Sequence, residues 1–297
     1  MGLSIETGRD LPARLVVTLS SIPPRFDDLG PTLQSLIHQN APADEIILYI
    51  PHSYRRFPEW DGRLPDAPAG VSIRRVAVDY GPATKVLPAI REFSGQDVDI
   101  LFCDDDRNFD PGWIRRFREL RSSKPGICLA EAGKDLSDLN GLTRDSARLP
   151  RVRIKKKNWK DRVKSILRVR NRRTSLFLSS GYCDVFLGTR GVLVRPEFFT
   201  DAVFDIPDVL WTVDDYWLSG HLERNGVPIW VNASAPFIRE REIARVSSLR
   251  RMIYGGHGRR EANDACIRYH RENYGIWLPH TPSFGNPPVS IKHRPAA

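Results

Sequence analysis

The most constraining feature of the sequence is a short apolar run that stops at three consecutive acids. Residues 97–113 read DVDILFCDDDRNFDPGW. The run Ile100–Cys103 is nearly continuous in apolar residues, which predicts a strand buried on both faces of a mainly parallel sheet. After the acids Asp104–Asp106, Pro111 and Gly112 mark the start of a helix with Trp113 on its apolar face. A strand, an acidic turn and a helix in this order predict one unit of an α/β fold.

The three acids follow the predicted strand at the end where open α/β sheets bind ligands. Adjacent carboxylates raise one another's pKa unless a cation lies between them. A hard divalent cation with oxygen ligands, shared with the phosphates of a substrate, would relieve this repulsion. The alternative is a solvated acidic turn in which one Asp caps the following helix.

Further apolar segments predict the rest of a sheet. They are Arg14–Leu19, Glu45–Ile50, Val71–Val78, Gly126–Glu131 and Ile229–Val231, with two short strands in Tyr182–Arg195 around Gly188 and Gly191. Helical patterns occur around Leu33–Ile37, from about Thr84, and near Arg259–Tyr274. Strands that alternate with helices predict an α/β fold with a doubly wound, mostly parallel central sheet flanked by helices.

Length and composition favour a globular protein. With 297 residues, of which 41% are hydrophobic and 27% charged, the chain can bury a large core. We expect a single domain, 1–297, with an insertion at about 133–180 and a Pro-rich C-terminal tail at about 279–297. No apolar run reaches the roughly twenty residues of a membrane span, and Met1–Leu11 does not resemble a secretory signal. The four cysteines lack metal or disulfide spacing, so a cytoplasmic protein is expected.

The positive charge is concentrated in the insertion. Residues 144–173 contain fourteen Lys or Arg and two Asp, a net charge of +12, which leaves −3 for the remainder of the total of +9. Trp159, Val163 and Ile166 have helical spacing within this basic stretch. Such a helix can lie on an anionic membrane surface, here through residues 151–173, or bind a polyanion. Alternatively it packs on the body with a solvated basic face. Nucleic acid is not expected, because no nucleic-acid-binding motif accompanies the charge.

Other candidate site residues lie at the starts of turns and helices. The Pro-rich turn Ser20–Phe26 follows the first strand and contains Arg25, which suits a base or a phosphate as well as a plain surface position. Lys85, at a predicted helix start, is placed to receive a phosphate or is simply solvated. Thr212 is expected to cap a helix that opens with Asp214 and Asp215. These acids either stabilise the helix through a favourable interaction with its dipole, or form a carboxylate pair that can accept a proton from a hydroxyl.

The ordered set of these motifs resembles the GT-A glycosyltransferases, in particular the bacterial family-2-like enzymes that build surface polysaccharides. The resemblance runs from about Leu15 to Val231, with gaps at 52–70 and 133–180. It implies the GT-A (nucleotide-diphospho-sugar transferase) fold, with a Rossmann-like sheet.

The resemblance also assigns roles to individual positions. Asp104 and Asp106 match the Asp-x-Asp motif, whose last carboxylate holds a divalent cation (Mn²⁺ or Mg²⁺) on the donor diphosphate. Asp215 matches the general base, and Asp214 its neighbour in contact with a sugar. His257 is the candidate for a further metal ligand, whereas His221 is expected to be structural. The implied contacts of the nucleotide sugar are Thr18, Ser20, Arg25, Lys85, Asp104, Asp105 and the glycine bend at Gly191.

The implied activity is metal-dependent transfer of a hexosyl group from a nucleotide-sugar donor, a UDP-sugar, to a hydroxyl of a glycan or lipid-linked acceptor. A side-chain base on the acceptor side favours inversion at the anomeric carbon. Two alternatives remain open. A nucleotidyltransferase acting on sugar phosphates would carry a Gly- and Lys-rich phosphate loop after its first strand, which Ser20–Phe26 does not supply. A non-enzymatic polyanion-binding protein would explain the basic segment but not the three acids.

Overall fold

The computed structural model describes residues 13–139, 145–155, 177–236, 238, 240–249, 252–254 and 256–279. Its strands are β1 (Arg14–Ser20), β2 (Glu45–Pro51), β3 (Ser72–Val76), β4 (Val98–Phe102), β5 (Cys128–Ala130), β6 (Gly133–Lys134), β7 (Arg153–Ile154), β8 (Phe177–Ser179), β9 (Gly181–Cys183), β10 (Val185–Phe186), β11 (Val192–Val194), β12 (Ile229–Val231), β13 (Ile253–Tyr254) and β14 (His257–Gly258). Its α-helices are α1 (Gly30–Ile37), α2 (Leu87–Glu92), α3 (Trp113–Ser123), α4 (Asp214–Arg224) and α5 (Arg259–Tyr274).

Eight strands form the central sheet in the order β3-β2-β1-β4-β11-β5-β12-β9. The pairs β3–β2, β2–β1, β1–β4 and β5–β12 are parallel, whereas β11 and β9 run antiparallel to their neighbours. The expected α/β class with a mostly parallel sheet flanked by helices is therefore confirmed. The remaining strands form three two-stranded ribbons, β10–β6, β13–β14 and β7–β8.

The sheet is covered on both faces, as the apolar strands require. On one face, α1 and α3 contribute residues such as Leu33 and Phe117 to a core with Leu15, Val17 and Leu19 of β1. On the other face, α2, α4 and α5 contribute Ile90, Trp217 and Cys266 to a core with Val16. Successive residues of β1 thus enter opposite cores, which explains why the run Leu15–Val17 is continuously apolar rather than alternating.

Most predicted elements occur within a few residues of the expected positions, with three differences. The segment Tyr182–Arg195 contains three short strands, not two, because a bend at Asp184 divides the first expected strand into β9 and β10, whereas the expected bend around Gly188 is present as a 3-10 turn before β11. The helix expected near Thr84 begins at Leu87, after a 3-10 helix over Gly81–Lys85. The expected cap at Thr212 is wrong: Val213 occupies the N-cap position of α4, without a side-chain hydrogen bond.

The two compositionally unusual regions are only partly described. Residues 145–155 and 177–180 of the basic insertion form a 3-10 turn and the β7–β8 ribbon, but the predicted basic helix around Trp159 lies outside the described residues. The Pro-rich tail beyond residue 279 also lies outside them. Among the described residues, no helix is both long and apolar enough to cross a membrane.

Candidate functional site

A cavity of about 370 Å³ lies at the carboxyl end of the parallel strands, where the chain leaves β1, β2 and β4. This volume is within the range of roughly 300–1,000 Å³ typical of small-molecule sites. The acidic turn, the start of α4 and the start of α5 all contribute to its wall. Charged side chains dominate the lining: seven acids (Asp79, Asp104, Asp105, Asp106, Asp214, Asp215, Glu240) and five basic residues (Arg25, Arg56, Lys85, Arg107, Arg259). The lining therefore contains more acidic than basic residues.

The acidic turn is not a solvated loop. Asp105 and Asp106 are only 5% and 8% exposed, so the alternative of a solvated turn is wrong for these two residues. Asp105 is the most firmly held: its two carboxylate oxygens accept hydrogen bonds from Ser21 Oγ at 2.5 Å and Arg25 Nη1 at 2.6 Å. The hydroxyl of Thr32 also donates to the Asp105 carbonyl at 2.8 Å. The middle acid thus fastens the turn to the β1–α1 connection.

Lys85 connects the acidic turn with helix α4. Its ammonium group lies 2.7 Å from Asp104 Oδ1 and 2.8 Å from Asp214 Oδ2, and the side chain is 6% exposed. Burial by itself lowers the pKa of Lys85, but Asp104, Asp214 and Asp215 together raise it well above its ordinary value. The same ammonium keeps the pKa of Asp104 low despite burial. The alternative of a solvated Lys85 is therefore wrong.

Asp215 is buried at the first turn of α4, with 6% of its surface exposed. Its Oδ1 accepts a hydrogen bond from the backbone N–H of Gly188 at 2.9 Å. Burial and the charge of Asp214 raise the pKa of Asp215 to about 7, although Lys85 opposes the shift. Position 188 is tight: an added Cβ would lie 3.0 Å from Lys85 Nζ and 3.1 Å from Asp215 Oδ1, so a larger residue would require both side chains to shift. A carboxyl group with this pKa can accept a proton near neutral pH.

Asp104 and Asp106 have the chemistry expected of ligands to a hard divalent cation. The pKa of Asp106 is raised to about 7, mainly by burial and secondly by the charges of Asp104 and Asp105. The buried Asp106 Oδ1 accepts no hydrogen bond, although Arg107 Nε lies 3.1 Å away. Among the described residues, no group of three or more His, Cys, Asp or Glu is arranged to hold a metal. A magnesium-type site fits this set nonetheless, since such sites use one or two carboxylates together with substrate phosphates and water.

Residues 240–249 cover part of the cavity and are held there through their backbone. Arg25 donates to the carbonyl oxygens of Val246 at 3.1 Å and Ala244 at 3.4 Å, and Arg56 donates to that of Ser247 at 2.7 Å. Ser247 adopts a left-handed conformation with φ of 49°. Arg25 therefore joins the acidic turn to this segment, in addition to facing the cavity.

The structure brings most of the predicted site residues together. Those that line the cavity are Ser20, Arg25, Lys85, Asp104, Asp105, Asp106, Asp214 and Asp215. Thr18 and Gly191 do not line it: Thr18 is fully buried within β1, and Gly191, with φ of 98°, faces Trp113 so closely that an added Cβ would lie 2.4 Å from the ring. For His257 only the backbone, in β14, is described.

Sequence reasoning missed several residues of the cavity wall. Tyr54 and Arg56 come from the loop at 52–70, where the family resemblance has a gap, and Ser247 to Leu249 come from a segment without a recognisable pattern. Asp79 was visible at the end of the third strand but was given no role; it accepts hydrogen bonds from the backbone N–H groups of Arg55 and Gly81. Its position after a strand was the one available signal.

His221 has the structural role expected of it. Its ring is completely buried beside Trp217 and His270, and burial lowers its pKa to about 3. It is neutral at physiological pH and lies within the core between α4 and α5 rather than in the cavity wall.

Comparison with known proteins gives structural neighbours only. No protein-family model and no curated protein sequence matches the chain. The crystal structure of S. aureus TarS residues 1–349 superimposes with a TM-score of 0.42 at 13% identity, covering 77% of this chain and 61% of that one. Its complex with UDP-GlcNAc gives a TM-score of 0.42 at 15% identity, with 77% and 60% covered. A longer S. aureus TarS structure gives 0.41 at 13% identity, with 78% of this chain and 37% of that one covered. The chain thus spans about three fifths of the shorter TarS structures.

Proposed function

We propose that this protein is a glycosyltransferase that moves a hexosyl group from a nucleoside-diphosphate donor to a hydroxyl acceptor. One observation carries the proposal: the acidic turn after β4 and the acid pair at the start of α4 line the same cavity and are joined by Lys85. The two carboxylate sets are 110 positions apart in the sequence, and their burial around one cation at the same cavity supports a shared site.

The acidic turn would form the donor side of the site. Asp104 and Asp106 would hold a divalent cation, Mn²⁺ or Mg²⁺, which supplies charge neutralisation of the leaving nucleoside diphosphate when it is bound. Asp105 and Arg25 would keep this turn in place, because their ion pair is buried and both also bond to neighbouring segments. Ser20, which lines the cavity beside them, would contact the nucleotide.

Asp215 would act on the acceptor. Its pKa of about 7 allows it to remove a proton from an attacking hydroxyl near neutral pH, and the Gly188 N–H fixes one of its oxygens. The proton passes from the hydroxyl to the carboxylate as the oxygen attacks the anomeric carbon and the bond from that carbon to the diphosphate oxygen breaks. Direct attack of this kind inverts the configuration at the anomeric carbon. Asp214, held by Lys85, would position Asp215 and contact a sugar.

The finer identity of the substrates also belongs to this proposal. From the family resemblance we propose a UDP-sugar as donor and a glycan or lipid-linked hydroxyl as acceptor. The complexes of S. aureus TarS with UDP and UDP-GlcNAc contain that nucleotide. For a lipid-linked acceptor, contact with an anionic membrane would bring the enzyme and its substrate together.

Nucleotide binding tests the donor half of the proposal. We would measure the thermal unfolding of the full chain with UDP, GDP, CDP and ADP, with and without Mn²⁺. A ligand at 100 times its dissociation constant should stabilise the fold by about 2.7 kcal/mol. We expect a Mn²⁺-dependent shift with UDP that Asp106→Asn abolishes. If no nucleotide stabilises the protein, the proposed function is wrong.

Asp215→Asn is the matched control for Asp106→Asn. It also tests the second half of the proposal, the role of Asp215 as general base on the acceptor hydroxyl. This variant should keep the nucleotide-dependent shift, because Asn at position 215 can still accept the Gly188 hydrogen bond. Transfer to the acceptor should fall by about 100- to 10,000-fold, the usual contribution of a general base. Transfer at the wild-type rate in Asp215→Asn would exclude this residue as the base.

A further inference from the structure

Arg259 is the basic residue of the cavity wall that forms neither an ion pair nor a side-chain hydrogen bond with any residue that the structure describes. The other four basic residues are engaged. Lys85, Arg25 and Arg107 pair with acids of the wall, and Arg56 donates to a backbone carbonyl. A half-buried guanidinium group without a counter-charge in an otherwise paired site is a candidate for contact with an anionic ligand.

The acids nearest to Arg259 in sequence do not neutralise it. Glu261 caps helix α5 instead: its Oε2 accepts a hydrogen bond from the Gly258 N–H at 2.9 Å. Residues 245–259 contain no acid, so the chain that leads into α5 offers no partner either. The acids that lie outside the described residues are Glu6, Asp10 and Asp161, all of them distant in sequence.

Helix α5 sets the position of Arg259, which is its first residue. The close contact of α5 with α4 at Gly220 holds this helix start in the same cavity wall as the acid pair of α4. Burial tends to raise the pKa of both Asp104 and Asp215, and the charge of Arg259 is one of those that lower it at both. The guanidinium group is thus within electrostatic reach of the acidic turn and of the proposed base.

In the proposed reaction, a cation in this position faces the bond that breaks. The hydroxyl oxygen attacks the anomeric carbon, the bond from that carbon to the β-phosphate oxygen breaks, and its electron pair stays on that oxygen. We propose that Arg259 is a catalytic residue that donates hydrogen bonds to the β-phosphate of the leaving nucleoside diphosphate. Its planar N–H groups can bind two phosphate oxygens at once, and its charge offsets the charge that develops. The inference rests on the proposed function and adds a catalytic group to it.

Nucleotide affinity tests this contact without requiring transfer. We would measure the dissociation constants of UDP and UMP by isothermal titration calorimetry with Mn²⁺, for the wild type and for Arg259→Gln. Because UMP lacks the β-phosphate, the variant should bind UDP about 10- to 100-fold more weakly than the wild type does, and UMP equally well. The matched control is Arg260→Gln, since Arg260 is exposed, adjacent in α5 and outside the cavity wall. The control should bind both nucleotides as the wild type does.

The outcomes separate this inference from the proposed function. If the wild type binds no nucleoside diphosphate, the proposed function is wrong. If the wild type binds UDP and Arg259→Gln binds it equally tightly, or loses affinity for UMP and UDP alike, this inference alone is wrong. Should Arg259→Gln not fold, Arg259→Lys replaces it. One ammonium group cannot form two parallel hydrogen bonds to a phosphate, so the loss should remain specific to UDP.

Transfer kinetics distinguish this role from a contact with the acceptor. Removing a group that stabilises developing charge should lower kcat of Arg259→Gln by about 100- to 1,000-fold and leave the acceptor KM unchanged. A raised acceptor KM with an unchanged kcat would show that Arg259 binds an anionic group of the acceptor, and would overturn the proposal.

Discussion

At the scale of single residues, Lys85 shows how burial decides what a charged side chain does. An exposed lysine at a helix start is free to receive a phosphate, but the Lys85 ammonium is enclosed and already bound to Asp104 and Asp214. Removing one partner of such a buried set leaves the others uncompensated, which is costly. Lys85 therefore holds Asp104 and Asp214 in a fixed relation, and its charge acts on Asp215.

The pKa of Asp215 leads to a prediction for the pH dependence of transfer. Because that pKa is about 7, Asp215 is protonated below neutral pH and cannot accept a proton. We expect kcat/KM to rise as the pH increases through about 7. Lys85→Met should move the midpoint of this rise in kcat/KM to higher pH, because the ammonium is one of the charges that lower the pKa of Asp215. The measurement is kcat/KM from pH 5.5 to 9.

The control for this experiment is Lys124→Met, which removes an ammonium at the C-terminal end of α3, outside the cavity wall. Its midpoint should coincide with that of the wild type. An unchanged midpoint in Lys85→Met would show that Lys85 does not tune the base. A profile that falls as the pH rises through 7 would contradict the role of Asp215.

At the scale of secondary-structure elements, the contact between α4 and α5 positions two walls of the cavity. Asp214 and Asp215 lie at the start of α4, and Arg259 lies at the start of α5. The helices meet at Gly220, where an added Cβ would lie 2.2 Å from His270 Nε2. Both His221 and His270 are buried and neutral, since burial lowers the pKa of His270 to about 4. The absence of a side chain at Gly220 is what lets the helices pack so closely.

This contact gives a prediction for stability. Gly220→Ala should lower the free energy of unfolding by about 1–3 kcal/mol, the usual cost of an added group in a packed core, even though Ala favours the helix. Gly30→Ala is the matched control, because nothing lies within 4 Å of an added Cβ there and its φ is not in the left-handed region. Urea unfolding of both variants provides the measurement. Equal stability of the two would show that α5 moves away from α4 without cost.

At the scale of the whole molecule, buried carboxyl groups make stability depend on pH. Glu131, at the end of β5, is fully buried, and burial raises its pKa from 4.5 to about 7 although Arg116 donates to it at 2.6 Å. Between pH 4.5 and about 7, Glu131 keeps its proton in the folded chain but loses it in the unfolded chain. The contribution of Glu131 to stability is therefore complete below pH 4.5 and is lost as the pH rises towards 7.

Glu131→Gln tests this linkage. The variant cannot ionise at position 131, so its stability relative to the wild type should improve by about 3 kcal/mol between pH 4.5 and pH 8. Other titrating groups, including the buried histidines, affect both proteins equally and cancel in the comparison. Urea unfolding at several pH values measures the difference. Glu119→Gln, at an exposed position of α3, should show no such trend, and a flat difference for Glu131→Gln would contradict the shift.

Taken alone, the sequence determined the class of fold and the most important acids. Strands such as β1 and β4 are buried on both faces, so they are apolar at most positions instead of alternating, and this is a local property that a reader of the sequence can detect. Asp104 to Asp106 and Asp214 with Asp215 were recognisable because each set directly follows a strand or opens a helix. The rule that ligands bind at the carboxyl ends of parallel strands placed Asp104 to Asp106 at the cavity.

Only the tertiary structure decided which charges meet. Lys85 pairs with two acids that are 19 and 129 positions away, and Arg25 reaches residues 80 and more than 200 positions away. No local pattern encodes such contacts, because they depend on how the sheet brings distant turns to one edge. For the same reason the sequence-based prediction of the cavity wall differs from the structure: Thr18 and Gly191 were expected in the wall but do not line it, whereas Arg56 and Ser247 line it without having been expected. Burial, which sets the pKa of Asp215, is likewise a property of the packed chain and not of its neighbours in sequence.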